Sequence, residues 1–272
     1  MMEDRVKPVY IEKLFESKNP KLARWIPGFV YSFLKRVICQ DQINDFISKY
    51  GDRKGLDFSD GILEYLDISF QVEGAENLPD PDGRYIFASN HPLGGPDGII
   101  LISFLGQKYP NLKFPVNDLL MNLKNLNNIF LPVNKHGGLA KEAAAAIDEA
   151  YASDCQVIMF PAGMVSRKYH GVIQDPEWQK SFVSKAVKHH RDIVPIRVVG
   201  RNSNFFYNLA NFRTRIGLKI NIEMMFLPKE TFKKRGASFT IKIGKPIPWQ
   251  TLDNSKTSKE WAKIIRDMVY RM

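Results

Sequence analysis

"RYIFASNHPLGGPDGIILISFLGQKY", Arg84 to Tyr109, changes character twice. "RYIFAS" is a short, nearly uninterrupted apolar run rich in strand formers, which predicts a buried β-strand. "GIILISFLGQKY" after it predicts a helix. Between them lie a histidine and an aspartate six positions apart, separated only by Pro92, Leu93, Gly94, Gly95 and Pro96. The stretch thus reads as a buried strand, a loop that can hardly be helix or strand, and a helix.

The same alternation continues on the carboxyl-terminal side. "LKFPVN", "NNIFLPVN" and "CQVIMFP" read as strands, with "GLAKEAAAAIDEAYASD" and "QKSFVSKAVKHH" as helices among them. "DIVPIRVVG", "KINIEMMFLP" and "SFTIKIGKPIP" read as later strands, and "SKEWAKIIRDMVYRM" as an amphipathic closing helix. Strands that alternate with helices predict an α/β domain, layered αβα around a mostly parallel sheet, over residues 70–272. The preceding stretch, 1–69, reads differently. "YIEKLFESK", "IPGFVYSFLKRVICQDQINDFISKY" and "FSDGILEYLDIS" carry apolar residues at mixed spacings of three and four. They predict an amino-terminal helical segment, broken at Pro20, Pro27, Gly51 and Gly55.

Composition narrows the class of molecule. The chain has 272 residues, 44% hydrophobic and 25% charged, with a formal net charge of +10. That excess favours anionic partners. Two cysteines, Cys39 and Cys155, imply no disulfide framework and point to a reducing compartment. "MMEDRVKPVY" lacks the apolar core of a signal peptide, and no apolar run approaches the roughly 18 residues of a spanning helix. A soluble or peripheral protein is expected. No nucleic-acid-binding module or dense basic–aromatic stripe is present, so nucleic acid is not the expected partner.

In open parallel sheets the ligand crevice lies beyond the carboxyl ends of the strands. Two stretches fall there. The first is Asn90 to Gly98. His91 and Asp97 are about 600° apart on a continuous helix, so contact requires the chain to fold back between them. Gly94 and Gly95 permit the necessary dihedrals, and Pro92 and Pro96 stiffen the turn. An aspartate that accepts the Nδ1 proton of a histidine fixes its tautomer and leaves Nε2 as a base. The alternative is an Asp97 that only caps the next helix, beside an ordinary loop histidine. Neither phosphate-loop nor dinucleotide fingerprint occurs here. The second stretch is "PAGMVSRK", Pro161 to Lys168. It offers a glycine and a set of anion-binding side chains, Ser166, Arg167 and Lys168, or equally a polar surface turn.

"NHPLGGPDG" followed by "FPAGMVSRK", with "NNIFLPVNK" between and "DIVPIRVVG" after, resembles the lysophospholipid/glycerol-phosphate acyltransferase superfamily over roughly residues 70–250. Its nearest likeness is to the bacterial hemolysin-type branch, which includes O-acyltransferases of ornithine- and glycine-type lyso-aminolipids. The resemblance implies that His91 is the base that deprotonates an acceptor hydroxyl and that Asp97 orients it. It also implies that Gly163, Ser166 and Arg167 hold the acceptor's polar head, and that Pro195 lies on the acyl-donor side. With their neighbours, the implied substrate contacts are Asn90, Gly94, Gly95, Lys135, Phe160, Pro161, Gly163, Ser166, Arg167, Lys168 and Pro195. Ala162 stands where many members carry glutamate. Lys135 is the cation nearest the place of the second motif's arginine.

The expected reaction moves a fatty acyl group from acyl carrier protein or coenzyme A thioester to the hydroxyl of a lyso-lipid. A thioester is already activated, so no protein nucleophile, bound cofactor or metal is expected. No H-x-x-x-H or H-E-x-x-H spacing is present. Two alternatives share the fold: a catalytically weak peripheral lipid-binding protein, and an esterase or thioesterase that uses the same base on water. "PKLARWIPGFVYSFLKR" mixes Trp25, Phe29 and Phe33 with Lys21, Arg24, Lys35 and Arg36. It predicts either contact with an anionic membrane surface or a helix packed into the core. The expected place is the cytoplasmic face of the inner membrane, bound peripherally.

Overall fold

The computed structural model describes residues 8–117, 120–133 and 139–272. The chain begins with five helices: α1 (Ile11–Lys18), α2 (Pro20–Trp25), α3 (Gly28–Ile38), α4 (Gln40–Tyr50) and α5 (Gly55–Leu66). There follow β1 (Ser69–Glu73), β2 (Tyr85–Ser89), α6 (Gly95–Gly106), β3 (Leu112–Val116), β4 (Phe130–Pro132), α7 (Leu139–Ala152) and β5 (Gln156–Met159). A hairpin of β6 (Arg167–Tyr169) and β7 (Val172–Gln174) leads to α8 (Ser181–His189) and β8 (Asp192–Val199). Last come α9 (Asn204–Arg215), α10 (Leu227–Phe232), β9 (Ser238–Ile243) and α11 (Ser258–Arg271).

The main sheet has seven strands in the order β1-β9-β8-β2-β5-β3-β4. Each neighbouring pair is parallel except β8 with β9. β2 lies between β5 and β8, and all five of its side chains are buried. Because successive side chains point to opposite faces, β2 feeds two cores. Phe87 joins Leu101, Phe114 and Ile158 beneath α5 and α6. Ile86 and Ala88 join Trp178, Phe182 and Ile265 beneath α8 and α11. α6 is apolar all round because it is covered twice, by the sheet and by α5. The αβα layering with a mostly parallel sheet is thus the observed architecture.

Three local expectations change. The helix expected over residues 26–50 is two helices. Cys39 adopts φ 56°, ending α3 and starting α4, so α4 can turn onto α5 while α3 packs on α10. "KINIEMMFLP" is not a strand: Ile222–Phe226 form a 3-10 turn and α10 starts at Leu227. Glu223 inside that run is fully buried and ion-paired, and Pro228 suits the first turn of a helix but not a ladder. α9 was not anticipated. Ser203 caps it, accepting the Phe206 N–H at 3.3 Å, and Phe206, Tyr207 and Ala210 are its buried face.

The amino-terminal helices bury only part of their apolar surface. Ala23 and Val37 face inward, but Trp25 is 85% exposed and Phe29 is 75% exposed. A core-packed position is therefore excluded for these two side chains. No helix among the described residues is long and apolar enough to cross a membrane.

Candidate active site

β2 and β5 are parallel neighbours, with Ala88 opposite Met159. Their carboxyl ends therefore release the histidine loop and the Phe160–Lys168 segment side by side. The two are stitched together by the Ser166 N–H, which donates to the His91 carbonyl at 2.8 Å.

The fold-back that His91 and Asp97 require occurs at Gly94, at φ 91° and ψ −103°. Only glycine takes that conformation without strain. A Cβ there would also stand 2.9 Å from Leu227 Cδ2 of α10. Beyond the turn, Asp97 is in the first turn of α6 and wholly buried. Its Oδ2 lies 3.0 Å from His91 Nδ1 and accepts the N–H groups of Leu93 at 2.9 Å and Gly94 at 3.3 Å. Asp97 thus caps the helix and holds the histidine at once, and the two sequence alternatives are not exclusive. A carboxylate side chain in the first turn of a helix also complements the helix dipole. With Nδ1 as the donor to it, His91 Nε2 carries the lone pair. Among the described residues nothing hydrogen-bonds Nε2, and the His91 side chain keeps 17% exposure.

Phe160 stacks flat on the imidazole, with centroids 4.0 Å apart and planes at 18°, and leans edge-on against Phe114. Burial depresses the His91 pKa, but the Asp97 charge and hydrogen bond, with Asp175 adding to them, outweigh it. The net position is above the ordinary value for histidine.

Several expected contacts are turned inward. Asn90 spends both ends of its amide on Val198, donating to its carbonyl at 3.0 Å and accepting its N–H at 2.7 Å. It ties the histidine loop to β8 and is itself buried. The Ser166 hydroxyl donates to Asp175 Oδ1 at 2.5 Å. Arg167 is buried, with Nη2 3.0 Å from Glu223 Oε1 and Nη1 donating to the Val165 carbonyl. Burial pulls its guanidinium pKa down and Glu223 opposes that. Glu223 also binds Arg213 Nε at 2.9 Å. An Arg167 reaching into the cleft for an anionic head is thus corrected by its buried partner, which already takes the charge.

The remaining expected residues divide clearly. Gly95 is exposed beside Thr231, whose Oγ1 would be 3.1 Å from an added Cβ. The Pro161 carbonyl accepts Gln179 N–H, and Gly163, at φ 61°, closes a turn onto the Phe160 carbonyl. Lys168 is half-buried in the hairpin, opposite Ile173. Pro195 is buried opposite Ala88, three residues before His91, within the sheet rather than at its end. Lys135 lies outside the described residues. Among the described residues no three His, Cys, Asp or Glu side chains form a metal-binding group. Cys39 and Cys155 are both buried, and Cys39 is at a helix junction rather than inside a helix.

Two supporting residues were not foreseen. Asp175, buried, accepts the His91 N–H at 3.2 Å, the Ser166 hydroxyl, and Trp178 Nε1 at 2.9 Å. Asn202, also buried, donates to the Pro92 and Leu93 carbonyls, each at 3.2 Å. Nothing in "IQDPEW" or "GRNSNF" marks them, because the bonds that tie them to the histidine loop span 84 residues or more.

A family model described as "Acyltransferase" matches residues 13–272. The chain is 46% identical over 273 aligned residues to a lyso-glycine lipid O-acyltransferase of Bacteroides thetaiotaomicron, covering 100% of both chains. It is 45% identical to a lyso-glycine lipid O-acyltransferase of Phocaeicola vulgatus, covering 100% of this chain and 98% of that one. It is also similar to the crystal structure of the 1-acyl-sn-glycerophosphate (LPA) acyltransferase PlsC from Thermotoga maritima. The TM-score is 0.50 at 18% identity, over 96% of this chain and 84% of the other. At that identity the likeness bears on the fold.

Proposed function

The chain belongs to the acyltransferase family and is an O-acyltransferase, and on that premise we propose that it acylates the hydroxyl of a lyso-lipid of the glycine-lipid class, with His91 as general base. The observation that carries the role of His91 is its Nδ1 held by a buried carboxylate, with Nε2 left unpartnered among the described residues. The names of the full-length relatives support the acceptor class.

In this mechanism His91 Nε2 takes the proton of the acceptor hydroxyl as the oxygen attacks the thioester carbonyl. The carbonyl π electrons move to oxygen and form a tetrahedral oxyanion. Its collapse breaks the carbon–sulfur bond, and the leaving thiolate receives the proton from the imidazolium. The products are the ester and a free thiol. Asp97 stays ionised throughout and stabilises the imidazolium between the two transfers. Phe160 fixes the plane of the ring, and Asn90, Ser166 and Asp175 fix the backbone that carries it. We assign Arg167 a positioning role through Glu223 rather than direct ligand contact.

The donor is acyl carrier protein or coenzyme A thioester, and the enzyme works peripherally on the cytoplasmic face of the inner membrane. Exposed Trp25 and Phe29 beside Lys21 and Arg24 support contact with anionic lipid. Purified chain is offered a lyso-glycine lipid with each donor separately, and the product is read by mass spectrometry. Acylated lipid with one or both donors, lost in His91→Ala, is expected. No product with either donor, or undiminished product in His91→Ala, overturns the proposal.

A further inference from the structure

α9 carries two apolar stripes: its packing covers one, while on the other Phe205 leans edge-on against Phe226, 5.0 Å between centroids, and still stays half exposed. Phe206, Tyr207 and Ala210 face the protein. Phe205, Leu209, Phe212 and Ile216 follow at helical spacing of four, three and four along a different side, and Phe205, Phe212 and Ile216 are exposed. The chain beyond continues outward, with Ile220 70% exposed and Met225 45% exposed. A helix that is apolar on both sides is normally covered on both.

Charge identifies what covers the outer side. Residues 204–222 contain no aspartate or glutamate; their charged residues are Arg213, Arg215 and Lys219. The first acidic residue after them, Glu223, is buried against Arg167 and Arg213. Residues 20–39 share the pattern: no acidic residue, with Lys21, Arg24, Lys35 and Arg36 among exposed aromatics. The two segments are far apart in sequence yet adjacent in space, since α3 packs on both α10 and the 222–226 turn, and that turn packs on α9. An apolar surface fringed mainly by cations, with Glu12 of α1 already paired to Lys35, complements an anionic bilayer interface, whereas a protein partner would need a matching acidic face of its own.

We propose that α9 and the turn after it form a second lipid-docking surface, which joins α2–α3 in one bilayer-facing side and sets the active-site loop against the membrane. The link to the loop is short. Arg167 binds Glu223 of the turn and lies 3.4 Å from the sulfur of exposed Met164. α10, which follows the turn, packs on Gly94 of the histidine loop. A lyso-lipid whose chain stays in the leaflet would thus present its hydroxyl near His91. This deepens the proposed function and rests on that reading for the identity of the acceptor, but not for the surface itself.

The test uses the full chain with Phe212→Ser, Ile216→Ser and Ile220→Ser combined. Partition onto phosphatidylglycerol-containing vesicles is measured by cosedimentation, with melting temperature as the check on folding. Partition at least tenfold weaker at an unchanged melting temperature is expected. Turnover on a vesicle-borne acceptor should fall relative to turnover on a monomeric short-chain acceptor. Arg215→Glu with Lys219→Glu, both on exposed positions, should weaken partition in low salt and lose that effect in high salt. If the serine variant melts early, the charge pair alone decides. Wild-type partition in the folded serine variant, or in the charge pair, overturns the proposal. So does a wild-type protein that ignores vesicles, or a concentration-dependent dimer abolished by the serine changes, which would make a second copy the occupant. A wild-type enzyme inactive on both acceptors defeats the acyltransfer reading instead and leaves the partition result to judge the surface.

Discussion

Asp175 holds His91 by its backbone: the carboxylate accepts the histidine N–H at 3.2 Å across 84 residues of sequence. The same oxygen takes the Ser166 hydroxyl, and Ser166 N–H returns to the His91 carbonyl. The histidine is therefore gripped at its ring by Asp97 and at the two sides of its peptide frame by Asp175 and Ser166.

His91→Ala should reduce turnover by about 10²–10⁴, the usual contribution of a positioned base. Asp97 keeps its Leu93 and Gly94 donors, so the loop should persist. A loss of about 1 kcal/mol would lower the melting temperature by roughly 2–4 °C. Asp97→Asn should leave residual activity through a mis-set tautomer. Steady-state kinetics with calorimetry separates the two effects.

The pH profile should carry an acid limb. The base must be unprotonated, and its pKa is raised, so kcat/KM should climb with pH through a midpoint above the ordinary histidine value of about 6.5. Asp97→Asn removes the main group that raises it and should move the midpoint down. Stability runs the other way. A raised folded-state pKa adds stability in full below about 6.5, which is lost as pH rises through the folded value. Melting temperature against pH, wild type less His91→Ala, should show that fall.

Asp175→Asn should lower kcat more than it raises KM, because Asp175 positions the base and touches no substrate. The amide can still accept from His91 or Ser166, but its NH₂ end faces the Trp178 donor. A purely structural role would leave the titration of His91 where it was. Here the acid-limb midpoint should fall, since Asp175 helps to raise the His91 pKa.

Arg167→Ala should act mainly on stability. It leaves buried Glu223 with Arg213 alone, and breaking a buried pair on one side costs about 3–5 kcal/mol. Arg167→Ala combined with Glu223→Gln should cost less than the two single changes summed. Urea unfolding of the four proteins measures that coupling; strict additivity would show that the pair does not act as a unit.

What could be read in advance was local. Tyr85–Ser89, the Gly94 turn and the Gly95–Gly106 helix depend on neighbours within a few positions, and their residue types announce them. The His91–Asp97 pair spans six positions and was visible for the same reason. Glu223 was not: its burial is decided by Arg167, 56 residues away, and by Arg213, so an apolar run looked like a strand. The inward turn of Asn90 depends on a backbone 108 residues further on. Cys39 has no side-chain feature that foretells a left-handed residue between two helices.

The central place of β2 also fixes when the site can exist. Both strands that flank it, β5 and β8, are synthesised later, and the histidine loop is braced by Val198 and Asn202, 108 and 110 residues downstream of their partners. During translation the loop emerges long before anything can hold it, and such long-range pairings form late and slowly. A nascent or truncated chain that stops short of β8 would carry both His91 and Asp97 yet have no neighbour on one side of β2. Release of a working enzyme is thereby tied to completion of the strand furthest along the chain that β2 requires.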